Sequence, residues 1–379
     1  MKLAVYADLA PGGAAYALTR FLEHLPPSWE VTAFAPHGGH AWKAGAERVG
    51  PPEPAPLPGP RYYVNRFTRL RRLAALERAE AELARRAGAF DRWLVHSCRD
   101  RGAPRLLSEL GDRAVFYCTE PLRLYREPAP PDSTSPWLRT AAHALYKPVS
   151  ARLNAADARH GARAARSLAN SNYTQGRCAA VYGTQPDVVY PSVDPRILDA
   201  PGGDGDGGYV LSPGALLPQK GHGRVLRALA RLKHPPQLVI AGASGRPGYA
   251  KRMRTLAKKH GVSLRIVGSA SHGDWVQLLR GARVVAIGAF REPFGLVSLE
   301  AQAVGRPVVV LDEGGLPETL APGRTGFAVT EASFPDALAA LLRDPGLAER
   351  LGGAGREWAR ANFHPADLGR QLAAKLSSG

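Results

Sequence analysis

Two glutamates, Glu292 and Glu300, stand eight residues apart in REPFGLVSLEAQAVGRPVVV. Two carboxylates at that spacing can do acid–base chemistry, grip neighbouring hydroxyls of one ligand, or simply decorate a helix. RVVAIGAF reads as a buried strand ending near Gly288, REPFG as a loop, and GLVSLEAQAVG as a helix that stops at Gly305. Glu292 then lies just ahead of a helix and Glu300 inside it. The unpaired backbone N–H groups near Phe294, Gly295 and Leu296, with the helix dipole, favour an anion such as phosphate. Spacing alone favours the plainer reading, in which Glu292 suits a helix start and Glu300 lies on a solvated helix face.

Two neighbouring junctions favour a site. In YVLSPGALLPQKGHGRVLRALARL, strand, loop and helix follow one another, with Lys220 where it can reach a phosphate. In VVVLDEGGLPETL the same order recurs around Gly314 and Gly315, where glycine lets backbone approach a ligand closely. A further histidine, His96, closes the strand of WLVHSCRD, as a functional or a buried, satisfied ring. Asp204 and Asp206 have the Asp-x-Asp spacing of a metal pair, but they sit among glycines and read as solvated linker; no metal site is expected.

The elements that must position these groups form an alternation of short β-branched runs and helical patterns. Strand candidates are 2–7, 31–35, 92–96, 114–118, 187–190, 208–212, 237–241, 263–267, 283–287 and 307–310. This is an α/β pattern of parallel sheets. DAPGGDGDGGYV (199–210) interrupts the rhythm and marks a linker between two doubly wound halves, with ligands at the carboxyl ends of the strands and the site in the cleft between. The length of 379 residues also suits two cores. No apolar run approaches a membrane span, and MKLAVYADLA reads as a first strand instead of a secretory signal. Three scattered cysteines, Cys98, Cys118 and Cys178, show no metal or disulfide spacing and suggest a reducing cytoplasm. The net charge of +17 favours an anionic partner: nucleic acid, an anionic membrane or a phosphorylated ligand. Part of the arginine excess follows from the composition of a GC-rich genome.

LSPGALLPQKGH, REPFGLVSLEAQAVGRPVVV and EGGLPETL, in that order, resemble glycosyltransferase family 4, retaining enzymes of the GT-B fold. APGGAA (10–15) is similar to the glycine loop after the family's first strand. ANSNYTQGRCAAVYGTQPDVVYPSVDP (169–195) is similar to its stretch before the interdomain crossing, and YCTEPLRLYRE (117–127) to an acceptor-side segment. The resemblance implies two Rossmann-like domains facing across a cleft. Residues 1–198 would bind acceptor, 199–363 would bind the nucleotide-sugar, and a helix at 364–379 would cross back onto the first domain. It implies a hexosyltransferase (EC 2.4) whose UDP- or GDP-type sugar donor is a substrate, with no permanently bound cofactor. Glu292 is then expected at the donor sugar hydroxyls, and Glu300 at the ribose. Backbone near Phe294, Gly295 and Leu296 is expected at the sugar and diphosphate, and Lys220 at the leaving diphosphate. Gly12 and Gly13 are expected in a loop that approaches diphosphate or acceptor.

Two positions depart from the family pattern. Ala215 stands where an arginine is common, with Arg224 and Arg291 as candidate replacements. Thr119 stands where a histidine is common, with His96 as the alternative. RYYVNRFTRLRR (61–72) has five arginines, three aromatics and no acid, and 135–166 is also basic. Either could form a membrane-surface device or a solvated helix. The resulting expectation is a cytoplasmic enzyme, peripheral at the inner face of the cell membrane, acting on a lipid-linked or glycolipid acceptor in glycan biosynthesis. The alternatives are a soluble transferase acting on a polysaccharide or small molecule, a sugar-nucleotide epimerase, and a catalytically silent relative. A nucleic-acid binder fits the charge, but no recognised module appears.

Overall fold

The computed structural model describes residues 1–9, 12–36, 45–50, 64–98, 101–122, 136–203, 205, 207–243, 245–246 and 248–378, with backbone alone for 64–72, 136–147 and 149. The chain divides into two compact units. The first gathers the described residues of 1–122, 136–191 and 366–378; the second spans 192–365.

In the first unit the order is β1 (Lys2–Tyr6), α1 (Gly13–Glu23), β2 (Glu30–Ala35), β3 (Glu47–Arg48), α2 (Val64–Ala84), β4 (Arg92–His96), α3 (Leu106–Leu110), β5 (Ala114–Cys118), α4 (Pro136–Ala162), β6 (Arg166–Ala169), α5 (Asn172–Tyr182) and β7 (Asp187–Val188). Among the described residues the seven strands form one parallel sheet, ordered β3-β2-β1-β4-β5-β6-β7. Helices cover the sheet, which is why β1 and β4 read as continuous apolar runs. Trp93 is fully buried, stacked on Phe34 with ring centroids 5.4 Å apart and edge-on to Phe90 at 5.2 Å.

In the second unit α6 (Pro195–Leu198) leads to β8 (Tyr209–Pro213), α7 (His222–Leu229), β9 (Gln237–Ala241), α8 (Tyr249–His260), β10 (Leu264–Val267), α9 (His272–Arg280), β11 (Ala282–Ile287), α10 (Leu296–Ala303), β12 (Val308–Leu311), β13 (Gly326–Val329), α11 (Phe334–Arg343) and α12 (Pro345–Asn362). Six parallel strands pair in the order β10-β9-β8-β11-β12-β13. The last helix, α13 (Pro365–Ser377), belongs to the first unit, where the Arg166 guanidinium reaches the carbonyls of Lys375 and Ser378.

Both sheets reverse their order at an inner pair, β1 with β4 and β8 with β11. Such switch points open a crevice at the carboxyl ends of the strands. β6 and β13 are not among the strand candidates read from the sequence. RSLA has no β-branched residue, and GFAV begins on glycine, so neither carries a strand signal on its own.

The glycine-rich stretch is not a free linker. Gly203 N–H donates to Val304 O (2.8 Å), Gly205 N–H to Arg280 O (3.2 Å) and Gly207 N–H to Gly281 O (3.1 Å). Arg356 donates to Ala200 O (2.6 Å) and Arg280 to Gly202 O (3.2 Å). The stretch is packed onto the second unit, which as a compact body begins at Ser192. Its glycines serve close backbone contact: a Cβ on Gly203 would collide with the Arg280 backbone. Asp204 and Asp206 lie outside the described residues.

Candidate active site

The second unit's switch point brings two loops together. Gly221, at φ 65°, begins α7, and a Cβ there would collide with the Gly288 carbonyl at the end of β11. Only glycine permits both the dihedral and the approach. Lys220 Nζ, in the first loop, donates to Glu292 Oε1 at 2.7 Å and to Oε2 at 3.0 Å, in the second. Both side chains keep partial exposure, 30% and 22%. Arg291, beside Glu292, has φ 46°, the one positive value outside glycine among the described residues. For a residue with a Cβ this is a strained conformation, of the kind concentrated at ligand sites.

The Gly314-Gly315 pair lets backbone approach the Glu292 loop closely. Gly314 is at φ 68°, and a Cβ there would strike the Glu292 carbonyl; Gly315 N–H donates to Glu292 O at 2.8 Å. These glycines therefore hold the Glu292 loop in place from behind.

Glu300 sits on α10 and accepts from the indole N–H of Trp275, on α9, at 2.9 Å. This bond fixes one carboxylate oxygen and orients the other. Gly295 is the N-cap of α10 at φ 118° and Leu296 its first residue, so their N–H groups lie at the helix start. The Phe294 ring is buried against Phe363, centroids 5.9 Å apart, so any ligand contact at this position belongs to the backbone. Trp275 is not named by the sequence reading, because its indole meets Glu300 only through tertiary packing. Trp275→Phe should raise the donor KM about tenfold with kcat little changed, as expected for losing one hydrogen bond to a charged group. Steady-state kinetics at varied donor concentration would show it; an unchanged KM would remove Glu300 from the donor site.

Ala215 contributes a carbonyl, not a cation. His222 donates from Nε2 to Ala215 O at 3.1 Å and accepts at Nδ1 from the Ser212 hydroxyl at 2.8 Å. The ring is wholly buried, and burial lowers its pKa to about 4. Arg224, one of the candidate replacements, has protein partners of its own. Its guanidinium is paired with Glu313 (3.0 Å) and Glu331 (2.9 Å), reaches Gly288 O at 3.4 Å and stacks 3.4 Å over Phe290. It ties α7 to the loops that follow β11, β12 and β13.

In the first unit Gly12 (φ 153°) and Gly13 open α1 beyond β1, and Tyr16, one turn on, is 56% exposed. His96, at the end of β4, is 1% exposed and donates from Nδ1 to Ser97 O at 2.8 Å. Burial holds its pKa down at about 4 against that bond, so the ring is neutral near pH 7. Thr119 shares a 2.7 Å hydroxyl bond with Ser97, and its N–H donates to the Ser97 hydroxyl at 3.2 Å.

The two buried histidines set a pH dependence. Each pKa falls from 6.5 unfolded to about 4 folded, so only the unfolded chain binds these protons within that window. Stability should therefore be complete above pH 6.5 and decline toward pH 4, by up to about 1.4 kcal/mol per pH unit for each ring. Urea midpoints measured across this range would show the slope, and His222→Asn should remove one share of it.

The basic stretch 61–72 has residues 61–63 outside the described residues and only backbone beyond. Of 117–127, residues 123–127 lie outside; of 135–166, residue 135 lies outside and side chains are described for 148 and 150–166. Among the described residues no helix is long and apolar enough to cross a membrane.

The family model for glycosyl transferases group 1 matches residues 195–358. The chain is 36% identical over 222 residues to D-inositol 3-phosphate glycosyltransferase of Kribbella flavida, covering 52% of each. It is 32% identical over 232 residues to the GDP-mannose-dependent alpha-(1-6)-phosphatidylinositol monomannoside mannosyltransferase of Mycolicibacterium smegmatis, covering 55% of this chain and 60% of that one. The chain thus spans about half the length of the curated relatives it matches. Two solved structures share its fold at 18% identity and a TM-score of 0.71. HepE of Anabaena in complex with UDP is matched over the whole of both chains, and sucrose-phosphate synthase of Thermosynechococcus elongatus over 99% and 98%. The chain accordingly has the GT-B architecture, and its residues 195–358 match the glycosyl transferases group 1 model.

Proposed function

We propose that this chain is a retaining glycosyltransferase of family 4 that moves a sugar from a nucleotide diphosphate-sugar to a hydroxyl of a lipid-linked or glycolipid acceptor. The observation that carries this reading is the Lys220–Glu292 pair at the β8/β11 switch point. A diphosphate entering there draws the ammonium toward its oxygens and leaves the carboxylate to accept from sugar hydroxyls. The α10 N-terminus faces developing negative charge with N–H groups, and Glu300, oriented by Trp275, accepts from the ribose hydroxyls. Transfer on one sugar face lets the departing phosphate oxygen take the acceptor proton, so the two glutamates hold the donor and do not act as an acid–base pair. With its low pKa, His96 serves to orient the acceptor side, through neighbours such as Ser97, instead of removing a proton.

The relatives' names keep inositol-bearing acceptors in the series to be tried, and both UDP and GDP donors. A calorimetric screen of nucleotide diphosphates and nucleotide-sugars should show one preferred base. Binding of none would sink the assignment, and nucleotide release without a glycosylated product would point to an epimerase.

A further inference from the structure

The net charge of +17 is unevenly placed. Residues 207–273 contain twelve Lys or Arg and no Asp or Glu; at the chain's average of 33 acids in 379 residues, this length would hold about six. Lys220 and Arg224 belong to the site already described. Most of the others lie away from it, and α8 carries five in twelve residues: Lys251, Arg252, Arg254, Lys258 and Lys259. Arginine-rich composition does not explain this, since three of the chain's nine lysines are here.

α8 packs Tyr249, Met253 and Ala257 against the core, and all five cations are exposed. At 100° per residue they fan over roughly 160° of the outward arc, along a helix about 18 Å long. Among the described residues none of Lys251, Arg254, Lys258 and Lys259 has a carboxylate partner. A hollow of about 410 Å³ lies between Lys251, Arg252 and Lys259, with Thr255 and Leu256 in its wall. The patch continues past the helix. Gln237 donates to the Ser263 hydroxyl at 3.2 Å, joining the turn before β10 to the turn carrying Arg231, Lys233 and His234, all exposed.

We propose that α8 and this turn form a docking surface for an anionic lipid bilayer. Charge complementarity selects the occupant. A fan of five exposed cations, four of them (Lys251, Arg254, Lys258 and Lys259) without a carboxylate partner among the described residues, meets a surface of phosphates. A single nucleic-acid strand would call for a groove and stacking aromatics, and α8 exposes neither on its outward arc. The surface extends the proposed reaction, by bringing the enzyme to a lipid-borne acceptor, but it stands on its own observations and does not use 61–72.

The test is co-sedimentation of the full chain with phosphatidylglycerol–phosphatidylcholine vesicles and with pure phosphatidylcholine, at low and high salt. The wild type should pellet with the anionic vesicles alone, and less at high salt. The variant carrying Lys251→Gln, Arg254→Gln, Lys258→Gln and Lys259→Gln should lose about tenfold or more in vesicle affinity, with unchanged thermal midpoint and nucleotide diphosphate binding. Equal binding by variant and wild type overturns the proposal, as does a wild type that ignores anionic vesicles. An α8-dependent shift of duplex DNA without vesicle binding also overturns it, in favour of nucleic acid. Loss of nucleotide binding in the wild type would sink the transferase reading and leave this one standing.

Discussion

Glu292→Gln is expected to lower kcat/KM for sugar transfer by about 10²–10³-fold, as found when a preorganised polar contact to the reacting group is removed. The substitution keeps the volume and removes the charge. Two partners lose by it: the sugar hydroxyls lose an ionised acceptor, and Lys220 loses the carboxylate that holds its ammonium at 2.7 and 3.0 Å. The surrounding backbone should stay in place, because Gly315 N–H binds the Glu292 carbonyl, not its side chain. Most of the loss should therefore appear in kcat, with little change in the binding of the nucleotide diphosphate alone. Kinetics with purified donor, paired with calorimetry of the diphosphate, separates these effects. Activity within threefold of wild type would mean that Glu292 does no more than pin the lysine.

The largest effect on stability is expected far from that chemistry. Glu80, on α2, is wholly buried; it accepts from the Tyr6 hydroxyl at 2.5 Å, from the Leu106 N–H at 3.3 Å and from the Arg101 guanidinium. Arg101 is 6% exposed. Burial pushes the Glu80 carboxyl above its ordinary pKa, while Arg101 pulls it back and keeps the pair worth its desolvation. Glu80→Ala leaves the buried Arg101 guanidinium with only the more distant Glu77 carboxylate, 3.8 Å away, and should cost about 3 kcal/mol. Joint replacement by Glu80→Leu and Arg101→Met should recover most of it, since similar volumes of apolar side chain need no partner. Urea unfolding followed by circular dichroism would decide; a single-variant loss below about 1 kcal/mol would show that water already reaches the pair.

The fold was legible because buried parallel strands announce themselves: KLAVY, RWLVH and ARVVAI need no partner to be recognised. Lys220 and Glu292 were legible as members of separate junctions. Their bond was not, since 72 residues separate them and only the sheet order makes β8 and β11 neighbours. Glycines misled most. Conformational freedom is visible in a sequence, but its use is not: the glycines of 203–207 serve close backbone contact within the second unit where a flexible linker is expected, and Gly314 packs against the Glu292 loop. His222 and Glu80 left no local signal, because a buried polar group is defined by partners from other elements, and the Trp275 indole likewise meets Glu300 only across two helices.

One consequence follows from Arg224. A single guanidinium on α7 is keyed to loops that follow three adjacent strands, β11, β12 and β13. Those loops cannot loosen one at a time: freeing any of them strands a charge shared by the rest. Their amide hydrogens should exchange with solvent as one group, and the donor end of this unit should open as a single cooperative patch. Exchanging any one of the three loops for a relative's should therefore disturb the other two, and only a joint exchange should keep this end of the unit intact.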